Sequence, residues 1–457
     1  MFEDIKHVHL IGIGGIGMSA LAKLFLAKGA KVSGSDLHVS VLTKELEERG
    51  VKVFEGHTSN QLAEDVDLVL YSSAIPKSNP ERLAAKERQL RELTYAEFLG
   101  ELSKGYSTIA VAGTHGKSST TAMLSLILEE AGYDPTVIVG SRVPSFKDGN
   151  LRIGSGRFFI VEACEYKANL LHLNPEMVVL TNVDEDHLDF YKDIDHIRTT
   201  FQTFVDKLKG KGIVVWNADD DESAKLSIAR GVTFGFGDAA EYRAIDRKAL
   251  PGEQVSSVVR QEAQEHGLGE LSLQVPGEYN MSNALAATAA AMELGVPFET
   301  CAKVLKQFVG IWRRFEKLGE WKGATVYSDY GHHPTEVAAV IRATKEFFAD
   351  RRVVLCYQPH QHARTIALLD ELVDVLKEAE VLVLTEIYEV AGRTEETQIS
   401  SSDLMQKIKE LRPECEVVFA KDLPNTKLLL ENLIKDGDVL IMQGAGSIDD
   451  LARSLIN

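Results

Sequence analysis

The chain has 457 residues, 44% hydrophobic and 26% charged, a composition that excludes a disordered, collagenous or coiled-coil chain and fits about three globular domains. Its 50 Lys and Arg against 68 Asp and Glu give a net charge of −18, which excludes a general binder of nucleic acid or anionic membrane but not a nucleotide held in a local pocket. The start MFEDIKHVHLIGIGG lacks the cationic and long apolar regions of a signal peptide, and no apolar run reaches the about 20 residues of a membrane span. Cys164, Cys301, Cys356 and Cys415 form no CxxC pair, so reduced thiols in a cytoplasmic protein are expected.

In chain order, HVHLIGI predicts a strand and the next stretch a helix from about Gly15 to Lys28. KVSGS, a helix near Leu42–Glu48, VKVF and DLVLYSS continue the alternation, as βα units on a parallel sheet do. A second series begins with YSTIAVAG and a helix from about Lys117, followed by FFIVEA, MVVLTNV and GIVVWN. The stretch AAEYRAIDRKALPGEQVSSVVRQEAQEHGLGELSLQV alternates and carries turn residues, so it predicts antiparallel strands added to this middle region. A third series runs RRVVLCY, a helix over Ala363–Leu376, EVLVLTEI, a helix after Ser402, EVVFA and DVLIMQGAG. Each series has its own buried strands and should form its own sheet. Boundaries near residues 104 and 310 give expected domains 1–104, 105–310 and 311–457.

Three motifs carry chemistry. Gly12-Ile-Gly14-Gly15-Ile-Gly17 follows a strand and opens a helix, a turn that lets backbone N–H groups approach a pyrophosphate, and Asp36 ends the next strand, placed for a polar group of a nucleotide. Gly113-Thr114-His115-Gly116-Lys117-Ser118-Ser119-Thr120 repeats the strand–turn–helix arrangement with a lysine for β/γ-phosphates and a serine oxygen for Mg²⁺, although Val111 departs from standard Walker spacing. Two strand ends, Glu162-Ala-Cys164-Glu165 and Asn182-Val-Asp184-Glu185-Asp186-His187, follow this loop. Glu162 suits Mg²⁺, and His187 a second metal or a phosphate oxygen. Taken singly, each has a plain alternative: a packing turn, a surface lysine, or satisfied polar groups at strand ends. Two different phosphate-type loops in one chain point to two different nucleotides. The fold class expected is α/β in three domains, Rossmann-like at both ends, with a central P-loop-type ATPase domain of parallel sheet plus antiparallel strands.

As a set, GIGGIGMSALA, GTHGKSSTT, VEACE, TNVDEDHLDFY, PGEYNMSNALAA, RRFE, YGHHPTEV, QPHQHART and GAGSI resemble the Mur ligases, in the same order and over nearly the whole chain. The resemblance implies an ATP- and Mg²⁺-dependent ligase of peptidoglycan synthesis. Its substrates would be UDP-N-acetylmuramate, ATP and an amino acid, L-alanine first among them, and the protein would be a monomer or homodimer. Gly14, Gly15, Ile16 and Asp36 would contact the UDP part, with His57 and the Ser72-Ser73-Ala74 turn beside it. Gly113, Thr114, His115, Gly116, Lys117, Ser118 and Ser119 would hold the triphosphate, and Ser118, Glu162 and His187 the metal. Asn280 and Asn283 would reach the adenine, unless they act as helix caps. Arg314 and Asp329 would come to the ATP, and Tyr330, His332 and Arg364 would line the amino-acid side, with His332 positioning or deprotonating the amine.

The sequence departs from the family where Cys164 replaces an Asp, Tyr279 a His and Gln361 an Arg. Gln202 stands where several relatives carry a modified lysine, so none is expected. Neutral Gln361 cannot replace a bidentate cation, which leaves Arg364 alone or a residue such as Arg393 to meet a carboxylate. A ligase that re-attaches recycled tripeptide therefore stays open within the family. Outside it, a nicotinamide oxidoreductase accounts only for the first motif, and an ATP-gated UDP-sugar sensor has no use for YGHHPTEV.

Overall fold

The computed structural model describes residues 4–187, 190–208, 210–261, 264–389 and 398–456. It contains three sheets, one for each series of strands expected from the sequence.

The first sheet is parallel throughout. Its strands are β1 (His7–Ile11), β2 (Lys31–Asp36), β3 (Lys52–Glu55), β4 (Leu68–Tyr71) and β5 (Arg91–Thr94), in the order β3-β2-β1-β4-β5. Val8 and Leu10 of β1 belong to a core that includes Leu21, Leu24 and Phe25 of helix α1 (Ile16–Ala27) and Phe98. The order reverses between β2 and β4 on either side of β1. A crevice therefore opens at the carboxyl end of β1, where ligands collect in such sheets.

The second sheet has ten strands in the order β15-β14-β13-β12-β11-β10-β6-β9-β7-β8. They are β6 (Ser107–Ala112), β7 (Thr136–Ile138), β8 (Leu151–Arg152), β9 (Phe158–Ala163), β10 (Met177–Leu180), β11 (Ile213–Asn217), β12 (Gly231–Gly235), β13 (Tyr242–Leu250), β14 (Glu253–Gln261) and β15 (Glu265–Leu273). β6 lies between β10 and β9, parallel to both, so a second switch point falls where the Gly113 loop begins. β13 and β14 form the expected hairpin, closed by the Pro251-Gly252 turn and by a Gln261 N–H bond to the Glu241 carbonyl at 2.8 Å.

The third sheet runs β16-β17-β21-β18-β19-β20, comprising β16 (Glu316–Trp321), β17 (Ala324–Asp329), β18 (Val353–Tyr357), β19 (Val381–Thr385), β20 (Glu416–Ala420) and β21 (Val439–Gln443). Only the β16–β17 pair is antiparallel. The helix expected over 363–376 is two helices, His362–Ala367 and Leu369–Leu376, broken at Leu368, whose φ of −111° and ψ of 24° leave the helical region.

The chain forms two compact units. The first comprises residues 1–244, 258–269 and 282–304, and so holds the first sheet and the parallel part of the second. The other comprises 245–257, 270–281 and 305–457. Among the described residues, no helix is long and apolar enough to cross a membrane.

Candidate active site

At the end of β1, Gly12 takes a φ of +82° and its N–H donates to the Ser35 carbonyl at 2.8 Å. The Gly14 N–H donates to Asp36 Oδ2 at 2.8 Å, so Asp36 braces the turn itself. A Cβ on Gly14 would lie 2.9 Å from that same oxygen, and one on Gly17 2.7 Å from the Tyr95 ring, so close packing demands glycine at both. The N-cap of α1 is Gly15, which supplies no side-chain cap and leaves the N–H groups of Ile16 and its neighbours facing the turn. Gly56 N–H donates to the Asp36 carbonyl at 2.7 Å, which places His57 beside the turn. At the end of β4, Ser72 Oγ accepts from Ala74 N–H at 3.4 Å, and the Ser73 carbonyl accepts from Lys167 Nζ at 3.2 Å.

At the end of β6, the loop is fastened to the end of β10. Thr114 N–H donates to the Asn182 carbonyl at 3.1 Å, His115 N–H to Asn182 Oδ1 at 2.8 Å, and Thr181 Oγ1 to the His115 carbonyl at 2.6 Å. His115 Nε2 is 3.1 Å from Asp184 Oδ2. Gly113 and Gly116 hold φ of +130° and +83°, and Gly116 opens helix α5 (Lys117–Glu130). Lys117 Nζ folds back on the loop, donating to the carbonyls of Gly113 and Thr114 at 2.6 and 2.9 Å, and lies 3.0 Å from Glu165 Oε2. Burial, the largest single influence, pulls the Lys117 ammonium down, but the charge and hydrogen bond of Glu165 together with the charges of Cys164 and Glu162 outweigh it and hold the group above its ordinary pKa. Burial likewise pushes Glu165 up, and Lys117, then His187, hold it below the usual carboxylate value. Ser118 Oγ donates to Glu162 Oε2 at 3.1 Å, and Glu162 Oε1 accepts from Gly140 N–H at 2.5 Å. His187, with φ of +55°, directs Nε2 at Glu165 Oε1, 3.4 Å away. Asn283 Oδ1 accepts from Thr120 Oγ1 at 3.2 Å, just behind Gly116.

The structure thus brings Lys117, Ser118, Glu162, His187 and Asn283 to one strand-end region. It adds Glu165, which the sequence reading quoted in its motif but gave no role. Glu165, not Glu162, is the partner of both Lys117 and His187.

In the other unit, β17 ends at Asp329, whose carboxylate accepts Phe315 N–H at 2.9 Å and Gly331 N–H at 2.7 Å. Burial pushes this carboxyl up, against the charge of Arg314 and those two bonds. The guanidiniums of Arg313 and Arg314 lie 5.0 and 4.9 Å from the Tyr330 ring centroid. Glu336, also missed as a site residue, accepts from the N–H groups of His332 and His333 at 3.0 and 3.3 Å in the capping box of the helix Pro334–Phe347. The sequence signal for it was the His-Pro-Thr-Glu spacing. Arg364 Nη1 donates to His332 Nε2. Guanidinium has no acceptor, so His332 carries its proton on Nδ1, 3.3 Å from the Tyr330 carbonyl. Gln361 begins the same short helix with φ of +65°. Asn280 Nδ2 donates to the Pro276 carbonyl at 2.8 Å, closing the first turn of its helix. Gln202 Nε2 donates to Asp206 Oδ1 at 2.8 Å, and Arg393 lies outside the described residues.

Comparison with known proteins gives matches along the whole chain. Models described as the Mur ligase family catalytic domain, the Mur ligase middle domain and the Mur ligase glutamate ligase domain match residues 7–107, 111–291 and 313–446. A UDP-N-acetylmuramate–L-alanine ligase of Clostridium novyi (strain NT) is 41% identical over 98% of this chain and 96% of its own. One of Geobacter sp. (strain M21) is 39% identical over 100% and 98%. The solved UDP-N-acetylmuramate–alanine ligase of Thermotoga maritima aligns with a TM-score of 0.86 at 27% identity, covering 98% of each chain. A murein peptide ligase of Psychrobacter arcticus shares the fold, with a TM-score of 0.73 at 24% identity over 99% and 98%.

This three-sheet α/β fold, matched over its full length, makes the protein an ATP-dependent, amide-forming ligase. The chain belongs to the Mur ligase family. Neither a nicotinamide oxidoreductase nor a nucleotide sensor accounts for these matches.

Proposed function

We propose that the chain joins L-alanine to the lactyl carboxylate of UDP-N-acetylmuramate, converting ATP to ADP and phosphate, in the cytoplasmic synthesis of peptidoglycan precursors. The observation that carries the reading is full-length identity of 41% to an L-alanine ligase, supported by a glycine turn at a strand end whose lysine, Lys117, lies on the turn's own carbonyls. Residues 1–104 take the UDP-sugar, through Gly14, Gly15, Ile16, Asp36, His57, Ser72 and Ser73. Residues 105–310 take ATP, with Asn280 and Asn283 toward the adenine, and residues 311–457 take the amino acid, with Arg314 and Asp329 directed at ATP.

Ser118 Oγ and Glu162 Oε2, hard oxygen donors 3.1 Å apart at a strand end, suit a magnesium ion. His187, turned toward Glu165, is the candidate for a second position. Bound magnesium would supply charge neutralisation on the phosphates. The chain's own groups do the rest. A lactyl carboxylate oxygen attacks the γ-phosphorus, the bond to ADP breaks, and Lys117 stabilises the charge in transfer. The alanine amine then attacks the acyl phosphate carbon, and the tetrahedral intermediate expels phosphate. Arg364 pairs with the alanine carboxylate. To do so it leaves His332 Nε2, whose lone pair is then open to the proton of the incoming ammonium. Orientation supplies most of the acceleration.

Phosphate release across a panel of L-alanine, other amino acids and the recycled tripeptide tests the reading. L-Alanine should be used, with a high KM because Gln361 offers no charge. Tripeptide preferred over L-alanine would overturn the amino acid named while leaving the ligase chemistry.

A further inference from the structure

Beneath the first nucleotide turn lies a buried carboxylate that none of the steps above uses. Glu81 begins helix α3 (Pro80–Glu87) behind the cap Asn79, and it is fully excluded from solvent, as is His9 of β1. Its Oε1 accepts from His9 Nε2 at 2.9 Å. Its Oε2 accepts from Ser35 Oγ at 2.6 Å and lies 2.9 Å from His57 Nδ1. Beyond His9, Ser33 Oγ bridges His9 Nδ1 and His7 Nε2, each at 2.9 Å, and His7 Nδ1 reaches Asp65 at 2.8 Å. Each end of this chain is a carboxylate, and no lysine or arginine side chain bonds Glu81 among the described residues. Its bonding partners are two imidazoles and a hydroxyl, so the buried carboxylate is held by histidine and serine alone among the described residues.

Hydrogen inventory decides what this arrangement does to His57. Ser35 has one hydroxyl proton, and it goes to Glu81. Toward His57 Nδ1, also 2.9 Å away, Ser35 Oγ can then only accept, and an ionised carboxylate can only accept. Nδ1 therefore carries the proton, and Nε2 of the neutral ring is an acceptor. Among the described residues Nε2 makes no hydrogen bond, and the ring keeps 11% exposure. The ring stands where Gly56 is bonded to Asp36, at the carboxyl ends of β2 and β3, beside the turn.

We propose that Glu81 is a positioning residue for the nucleotide: it fixes His57 as the Nδ1–H tautomer and so presents Nε2 as the acceptor for a donor on the ligand. The donor is the imide N–H of uracil or a ribose hydroxyl. This rests on the UDP-sugar reading above. Burial, the largest single influence, pushes the Glu81 carboxyl up, but the bonds from His9, Ser35 and His57 together with the charge of His9 outweigh it and hold the carboxyl below its ordinary pKa, so it stays an acceptor.

The test uses the full chain with ¹⁵N-labelled histidine, His57 being assigned with a His57→Gln variant. In the free protein, His57 should show a protonated Nδ1 and a lone-pair Nε2, and UDP should shift the Nε2 signal. CDP, whose ring N3 is an acceptor, binding more weakly than UDP assigns the uracil imide. Weaker binding of 2′-deoxy-UDP assigns the ribose. Glu81→Gln can donate to Nδ1, so it should flip the tautomer and weaken UDP about tenfold or more, with ATP affinity unchanged. An Nε2–H His57 in the wild-type protein, or a folded Glu81→Gln protein with unchanged UDP affinity, overturns the proposal. The wild-type spectrum decides the matter even if that variant does not fold. Absence of any UDP binding would overturn the substrate reading itself, whereas UDP binding beside an Nε2–H ring overturns only the role of Glu81.

Discussion

Lys117 is paired with a buried carboxylate. Its ammonium lies 3.0 Å from Glu165, and their side chains keep 15% and 5% exposure. On the proposed function a triphosphate competes with that carboxylate for the lysine, and the lysine cannot be removed without stranding a buried charge. Lys117→Ala should therefore do two separable things. Turnover should fall by about 10²–10³-fold through loss of a charge on the transferring phosphoryl group. Stability should fall by about 3 kcal/mol, the usual cost of breaking a buried pair from one side. The Lys117→Ala/Glu165→Gln double variant should recover most of the stability and none of the turnover, read by denaturant unfolding and phosphate release. The pair's pH window follows from the shifts. Glu165, lowered in the fold, contributes above its ordinary value and loses that contribution as pH falls through the folded one. Lys117, raised, loses its contribution as pH climbs through its folded value. A double variant as unstable as the single one would show that the two charges are not coupled.

Helix α5 has a glycine near each end, and the two have different duties. Gly116 at the N-cap has φ of +83°, and a Cβ there would lie 2.3 Å from Asn283 Oδ1. Gly132, just past the last turn, has φ of +79° and nothing within 4 Å of an added Cβ. Gly132→Ala should cost only backbone strain, about 1 kcal/mol, and leave ATP affinity alone. Gly116→Ala should cost more and raise the ATP Kd about tenfold or beyond, with UDP-sugar binding unaffected; titration calorimetry on both variants reads the difference. Equal ATP affinities would mean that the loop does not hold the phosphates. This loop was legible in the sequence because its information is local: strand, glycines, lysine and helix fall within one short run. The alternation that announced β13–β15 was local too. The roles of Glu162 and Glu165 were not separable in that way. Glu162 is part of β9, whereas Glu165 reaches Lys117 from beyond the strand end, ahead of Lys167 and Ala168 with φ of +53° and +54°. No residue pattern announces such a turn. The Glu81–His9 bond joins residues far apart in sequence and is invisible for the same reason.

At the scale of the whole molecule, the parallel sheets, their switch points and the loops at their carboxyl ends follow from the sequence pattern, while the contacts that fasten one sheet's helices to the next do not. In the first unit one buried apolar cluster runs from the first sheet's helices to the second sheet, and polar contacts add to it. Asn150, leading into β8, donates through Nδ2 to the Ile16 carbonyl and to Ser19 Oγ at the start of α1. Arg49 pairs with Asp148, and Arg142 with Glu45. At the centre Lys23 of α1, only 3% exposed, donates to the Asp148 carbonyl and Asn150 Oδ1, each at 2.8 Å. Burial, with Arg49 adding to it, lowers this ammonium from 10.5 to about 8. The folded value lies below the unfolded one, so the unfolded chain binds more protons between them, and stability rises with pH across that interval. Below pH 8 the fold bears the full penalty of a buried charge, on the order of 3 kcal/mol, and toward pH 10.5 the penalty is relieved. Lys23→Met removes the charge but strands Asn150 Oδ1, so near neutrality the two effects oppose each other and the net change should be small. The slope separates them. Between pH 8 and 10.5, wild-type stability should gain on that of Lys23→Met by an amount approaching the penalty. Denaturant unfolding of both proteins across the interval measures it. Parallel pH profiles would mean that Lys23 keeps its ordinary affinity for the proton and that this junction carries no buried charge.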